Sequence, residues 1–168
     1  MLKLLVSLGQ LLRLRGGPQD LPSSWTLTIM LVAVFLVQNI ITGQQLDDQD
    51  SAVKSLAAIS LQIVVLVGLL YWRRYPERFT QTLTALLGVG IAFNLFTWAL
   101  LTQSDPQVNQ PVLAMAWFGM FIWSLFVDAN IYRHALSMTL SVGMLVAVLT
   151  LAANYVLIEI LFMIQAPT

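Results

Sequence analysis

The chain has 168 residues and a formal net charge of zero, with 58% hydrophobic and 10% charged residues. Soluble domains carry about 25% charged residues, so the composition excludes an ordinary water-soluble protein. The absence of cysteine excludes disulfides, thiolate metal sites and cysteine nucleophiles. We therefore expect any function to lie within the membrane or against it.

The first 15 residues predict a short amphipathic helix. Its polar stripe, set in leucines at spacings of four, three and three, consists of Lys3, Ser7, Gln10 and Arg13. Such a helix lies in the membrane interface, with Lys3, Arg13 and Arg15 directed at anionic lipid headgroups. Residues 1–23 are thus predicted to form an interfacial helix and a juxtamembrane turn, and residues 24–168 a transmembrane domain. A cleaved signal peptide and a partner-binding stripe are the alternatives.

Residues 16–24 predict a turn that leads into the first spanning helix. A Gly-Gly-Pro sequence ends the preceding helix, and Ser23 or Ser24 offers an N-cap. Asp20 is expected to be a turn residue or a partner of Arg13 or Arg15.

Five apolar runs are each long enough to cross a hydrocarbon core about 30 Å thick. All six prolines fall outside these runs, where a missing N–H does not interrupt a helix. The predicted fold is therefore an all-α, polytopic bundle of five transmembrane helices. The runs cover residues 24–42, 53–72, 79–101, 112–132 and 136–163.

The basic residues predict an orientation with the N-terminus in the cytoplasm and the C-terminus outside. Basic residues in short loops collect on the cytoplasmic side, and seven of the eight here share one side. These are Lys3, Arg13, Arg15, Arg73, Arg74, Arg78 and Arg133. The opposite loops hold Lys54 with Asp47, Asp48, Asp50 and Asp105.

The stretch Arg15-Gly16-Gly17-Pro18-Gln19-Asp20-Leu21-Pro22 resembles the start of small bacterial inner-membrane proteins. The five-span layout with a cytoplasmic N-terminus is also similar to that of the Yip1-like family. The Yip1-like resemblance implies action through protein and lipid contacts rather than catalysis. The resemblance to small bacterial inner-membrane proteins implies a location in the bacterial inner membrane. Neither resemblance carries a functional residue over to this chain.

Polar residues inside the spans are the candidate contacts. Asp128 and Glu159 are ionisable, and we expect Asp128 to form an interfacial ion pair near Arg133 and His134 rather than a proton or ion relay. The amides are expected to join helices rather than bind substrate. The candidates are Asn39, Gln62, Asn94, Asp128, Asn154 and Glu159, with Gln38 a further amide.

Small residues predict close helix contacts at two places. Gly88 and Ala92 form one small-xxx-small pair, and Gly143 and Ala147 form another. Such contacts can be internal or can join two subunits.

Two classes of function follow from these patterns. The first is a non-catalytic accessory, scaffold or assembly component that acts by helix packing, with lipids and a membrane-protein partner or a second copy as its contacts. The alternative is a small transporter or channel subunit. No catalytic motif, P-loop or basic groove is present, so we expect no enzyme activity, no cofactor and no nucleic-acid partner. The lone His134 cannot assemble a metal site, so no metal is expected.

Overall fold

The computed structural model describes residues 2–46, 50–104 and 110–163. Within these ranges the chain forms six α-helices and two short 3₁₀ helices, and contains no β-strand. The 3₁₀ helices are Pro18–Asp20 and Pro76–Arg78. The α-helices are α1 (Leu2–Leu12), α2 (Trp25–Gln45), α3 (Ser51–Trp72), α4 (Phe79–Leu101), α5 (Pro111–Ala135) and α6 (Leu140–Met163).

Helices α2 to α6 are long and apolar enough to cross a membrane. They contain 21 to 25 residues, so at 1.5 Å per residue they are about 32 to 38 Å long. The prediction of an all-α chain with five long apolar helices is confirmed, and it suggests an integral membrane protein. Ser24 is the N-cap of α2 and accepts a hydrogen bond from the Leu27 N–H at 3.4 Å.

The turn between α5 and α6 lies later than the sequence predicts. The fourth run was expected to end at residue 132, but α5 continues to Ala135 and α6 begins at Leu140. The helix ends where Ser137 adopts a left-handed φ of 52°. The Met138 N–H then bonds the carbonyl oxygen of Arg133 at 2.9 Å, the closing bond of a Schellman turn.

Consecutive long helices alternate in direction, so α2, α4 and α6 begin where α3 and α5 end. The rings of Trp25 on α2 and Phe79 on α4 lie 5.9 Å apart at this end. We call it the basic end of the bundle. It carries Arg73, Arg74, Arg78, Arg133 and His134.

Two arginines of the α3–α4 connection cap the carboxyl end of α5. Arg78 Nη1 donates hydrogen bonds to the main-chain oxygens of the last two helical residues at 3.2 and 3.1 Å, and to Ser137 Oγ at 2.8 Å. Arg73 Nε donates to the Leu136 carbonyl oxygen at 3.3 Å. These carbonyl groups have no partner within the helix, and a cation also interacts favourably with the helix dipole there.

Close packing is concentrated toward the basic end. Leu66 and Leu70 on α3 and Tyr132 on α5 are almost fully buried there, around the central helix α4. In the opposite half, α5 exposes Val112 by 80% and Met115 by 75%. Most of the buried apolar residues of the long helices thus lie in the half nearer the basic end.

The N-terminal segment packs on α4 and α5. Ser7 and Leu11 are buried, and three side chains of the bundle donate to main-chain oxygens of the segment. These bonds are Trp123 Nε1 to Leu12 at 3.1 Å, Asn130 Nδ2 to Gly16 at 3.0 Å, and Gln81 Nε2 to Leu21 at 3.0 Å. The segment is therefore part of the fold.

The predicted polar stripe of α1 does not form one exposed face. Gln10, Arg13 and the following Arg15 are exposed, whereas Ser7 is buried and its hydroxyl donates to the Asp20 carbonyl oxygen at 3.3 Å. The Lys3 side chain lies outside the described part of the structure. The Asp20 carboxylate accepts a hydrogen bond from the Gly17 N–H at 2.9 Å, which is the turn role that the sequence predicts.

Candidate functional site

A cavity of about 390 Å³ lies among the five long helices. Its volume falls in the range of about 300 to 1,000 Å³ that is usual for small-molecule pockets. Every long helix contributes to its wall, and most of the wall is apolar. The polar lining residues are Gln62 on α3, Asn94 on α4, Ser124 and Asp128 on α5, and Asn154 on α6.

The cavity lies at middle depth in the bundle. Asp128 is seven residues from the basic end of α5, and Asn94 is fifteen residues from the basic end of α4. At 1.5 Å per residue these positions are about 10 and 22 Å from that end. Both polar groups therefore lie about 10 Å or more from either end of helices that are long enough to span.

Asp128 lines the cavity instead of forming the expected interfacial ion pair. In the described part of the chain its carboxylate receives no hydrogen bond and meets neither Arg133 nor His134 in an ion pair. His134 Nδ1 instead lies 2.8 Å from the Asn130 carbonyl oxygen. Because α5 continues to Ala135, Asp128 is about two turns from the helix end, one turn deeper than the sequence predicts.

Two amide atoms in the cavity wall have no hydrogen-bond partner. Asn94 Nδ2, a donor, and Asn154 Oδ1, an acceptor, are both buried without one. A buried amide group that lacks a partner costs roughly 1 to 3 kcal/mol. Both atoms belong to residues that line the cavity, and a rotation of each amide would turn them toward a bound solute.

A hydrogen bond between α3 and α5 lies on the side of the cavity nearer the basic end. Gln62 Nε2 donates to the Tyr132 hydroxyl at 2.6 Å, and Tyr132 is only 1% exposed. Tyr132 lies in the core because α5 continues beyond it to Ala135. Ser124 was missed, since a single serine in an apolar run gives no signal of its own.

Two of the predicted polar contacts lie elsewhere. Asn39 Nδ2 donates within α2 to the Phe35 carbonyl oxygen at 2.8 Å, and Glu159 is exposed near the far end of α6. Gln38 donates across to the Ile91 carbonyl oxygen of α4 at 3.2 Å. Four of the six candidates are therefore brought together, and two are not.

The predicted small residues lie at helix contacts inside the chain. A Cβ built on Gly143 of α6 would collide with the Ala129 carbonyl oxygen of α5, and Ala147 is buried one turn further along. A Cβ on Gly88 of α4 would lie 2.6 Å from a methyl carbon of Leu8 on α1. Ala92 is partly exposed on α4.

Arg13 and Arg15 line a separate, shallower pocket with Trp123. Among the described residues, no group of three or more His, Cys, Asp or Glu side chains lies together. Comparisons with protein-family models, curated proteins and solved structures found no match.

Proposed function

We propose that this chain is an integral membrane protein that binds a small polar solute within the bilayer, as a small transporter or channel subunit. The observation that carries the proposal is the convergence of partnerless polar groups from three helices on one cavity. Asn94 Nδ2 and Asn154 Oδ1 are buried without partners, and among the described residues the Asp128 carboxylate has no hydrogen bond or ion pair.

The energetics of the bilayer support this reading. Charged side chains at membrane depth are costly and usually serve a ligand or ion pathway. Residues that only join helices are expected to bond one another, as Gln62 and Tyr132 do. Asn94, Asp128 and Asn154 do not, although they line the same space. A bound solute accounts for all three.

The orientation follows from the positive-inside rule. The basic end lies in the cytoplasm, so the N-terminus is cytoplasmic and the C-terminus is outside. Since the buried apolar core is concentrated in the half nearer the basic end, we expect the solute to enter from the outer side. A bacterial inner membrane is the proposed location, and the action is binding and passage without covalent chemistry.

The accessory or scaffold function is a second candidate, favoured by one observation. The outer half of α5 exposes Val112, Met115 and Phe118, an apolar surface that another membrane protein or a second copy could cover. A stable neighbour that is captured by crosslinks at these positions in native membranes would support this candidate.

Swelling of proteoliposomes tests solute passage without assuming a substrate. The purified full-length chain is reconstituted, and light scattering follows the entry of urea, glycerol, choline chloride and sodium acetate. We expect at least one solute to enter faster than into protein-free vesicles. Asn94→Leu should slow it, because that change removes a polar group from the cavity wall.

Asn39→Leu is the matched control, since it makes the same substitution at an amide that bonds within its own helix. Flux that is unchanged in Asn94→Leu, or that never exceeds the protein-free rate for any solute, would contradict the proposed function.

A further inference from the structure

We propose that the cavity takes an organic ammonium cation. This inference rests on the solute-binding function proposed above, and it adds the chemical class of the solute. It is carried by the charge of the cavity, its size and the character of its wall.

The charge of the cavity wall selects a cation. Asp128 is the one ionisable side chain among the residues that line it. Coulomb interactions are several times stronger in a low-dielectric interior than in water, so the carboxylate repels an anion. Beside a neutral solute the Asp128 carboxyl group would take up a proton at membrane depth, whereas a cation stabilises its ionised form. A monovalent cation compensates the single negative charge.

The wall favours an organic cation over a metal ion. Hard metal cations such as Ca²⁺ take six to eight oxygen ligands, whereas most residues around this cavity are apolar. One water molecule needs only about 10 to 15 Å³, so about 390 Å³ is far more space than a bare ion fills. Alkyl groups can fill the remainder against Leu86, Leu87 and Leu151.

Aromatic and amide groups complete the match to an ammonium ion. Phe35 and Phe93 both line the cavity, and aromatic faces attract ammonium groups. The free acceptor Asn154 Oδ1 suits an N–H or an acidic C–H next to nitrogen, and the free donor Asn94 Nδ2 suits a hydroxyl or carbonyl oxygen. The cation is therefore expected to carry an oxygen acceptor.

The lack of cysteine in the chain allows a direct test. Asn154→Cys places a single thiol in the wall, and Tyr155→Cys places one on the neighbouring residue, which is exposed on the outside of α6. Reconstituted protein is treated with trimethylammonioethyl methanethiosulfonate, a quaternary ammonium, or with the anionic sulfonatoethyl reagent. Each rate is divided by that of the same reagent with a simple thiol in solution.

We expect the cationic reagent to modify Asn154→Cys at least about tenfold faster than the anionic one, as one nearby charge in a low dielectric requires. Adding Asp128→Asn should abolish this preference. Asp128→Glu should keep it, which guards against a general loss of folding. Glu159→Gln, a matched removal of the exposed carboxylate on α6, should leave it unchanged.

The outcomes separate the two proposals. Equal rates for both reagents, with or without Asp128, would overturn the cation inference but leave a solute cavity. If neither reagent modified Asn154→Cys faster than Tyr155→Cys, the cavity would not admit solutes, and the proposed function would fall with the inference.

Discussion

The Gln62 amide on α3 donates a hydrogen bond of 2.6 Å to the Tyr132 hydroxyl on α5. The two residues are 70 positions apart in the chain. Their bond lies beside the cavity, toward the basic end, and joins helices that the sequence does not pair.

Removing one partner of this bond should lower the free energy of unfolding by more than is expected from its share of the double change, because the other partner is left without a hydrogen bond. Tyr132→Phe leaves the Gln62 N–H group without its acceptor, so we expect a loss of about 1 kcal/mol in the free energy of unfolding. The double variant Gln62→Leu/Tyr132→Phe should be more stable than the sum of the single changes predicts. Denaturation of the four proteins in detergent measures the coupling, and strict additivity would contradict it.

Gly143→Ala should destabilise the bundle strongly, because the new methyl group would collide with the Ala129 carbonyl oxygen of α5. Overpacking of this kind costs about 1 to 3 kcal/mol. Gly119→Ala is the matched control: nothing lies within 4 Å of the added atom, and alanine favours a helix over glycine by about 0.5 to 1 kcal/mol. The midpoint of thermal unfolding should be lower than that of the natural protein for Gly143→Ala and higher for Gly119→Ala.

Arg78→Gln should loosen the carboxyl end of α5, because it removes a charged donor to two main-chain oxygens and to Ser137. We expect a loss of about 1.5 to 3 kcal/mol in the free energy of unfolding. Arg133→Gln removes the same charge from the same end of the bundle. If both variants lost equal stability, charge rather than capping would explain the effect.

Arg74→Gly should be more stable than Arg74→Ala. Arg74 has a left-handed φ of 62° after α3, and that conformation costs about 1 to 2 kcal/mol for a residue with a Cβ. Both changes remove the same positive charge, so any effect of that charge on the orientation of the chain in the membrane is the same in the two variants. The difference in unfolding midpoint between the two variants measures the backbone strain, and a zero difference would show that none is stored there.

Most of the helical framework could be predicted from the sequence, because lipid requires long apolar runs and the runs can be counted. Pro111 marked the start of α5 correctly, at a position where its missing N–H is harmless. The end of α5 was placed too early because no glycine or proline marks it. That error of one turn moved Asp128 toward the headgroups in the prediction.

The cavity itself could not be predicted from the sequence. Asn39 and Asn94 are equally polar residues in equally apolar helices, yet one bonds within its own helix and the other lines the cavity. The difference depends on the rotation of each helix about its axis. That rotation is set by packing between helices that are distant in the chain.

The capping of α5 by Arg78 has a consequence for biosynthesis. The ribosome makes this arginine at least 56 residues before the carbonyl groups that it binds. Until α5 has been threaded through the membrane, the guanidinium lacks these carbonyl groups and has the nearby Tyr75 ring, lipid phosphates and water as partners. The α3–α4 connection therefore gains its contacts with α5 only after the next segment is inserted, so a chain truncated before residue 134 should be less stable than the full chain.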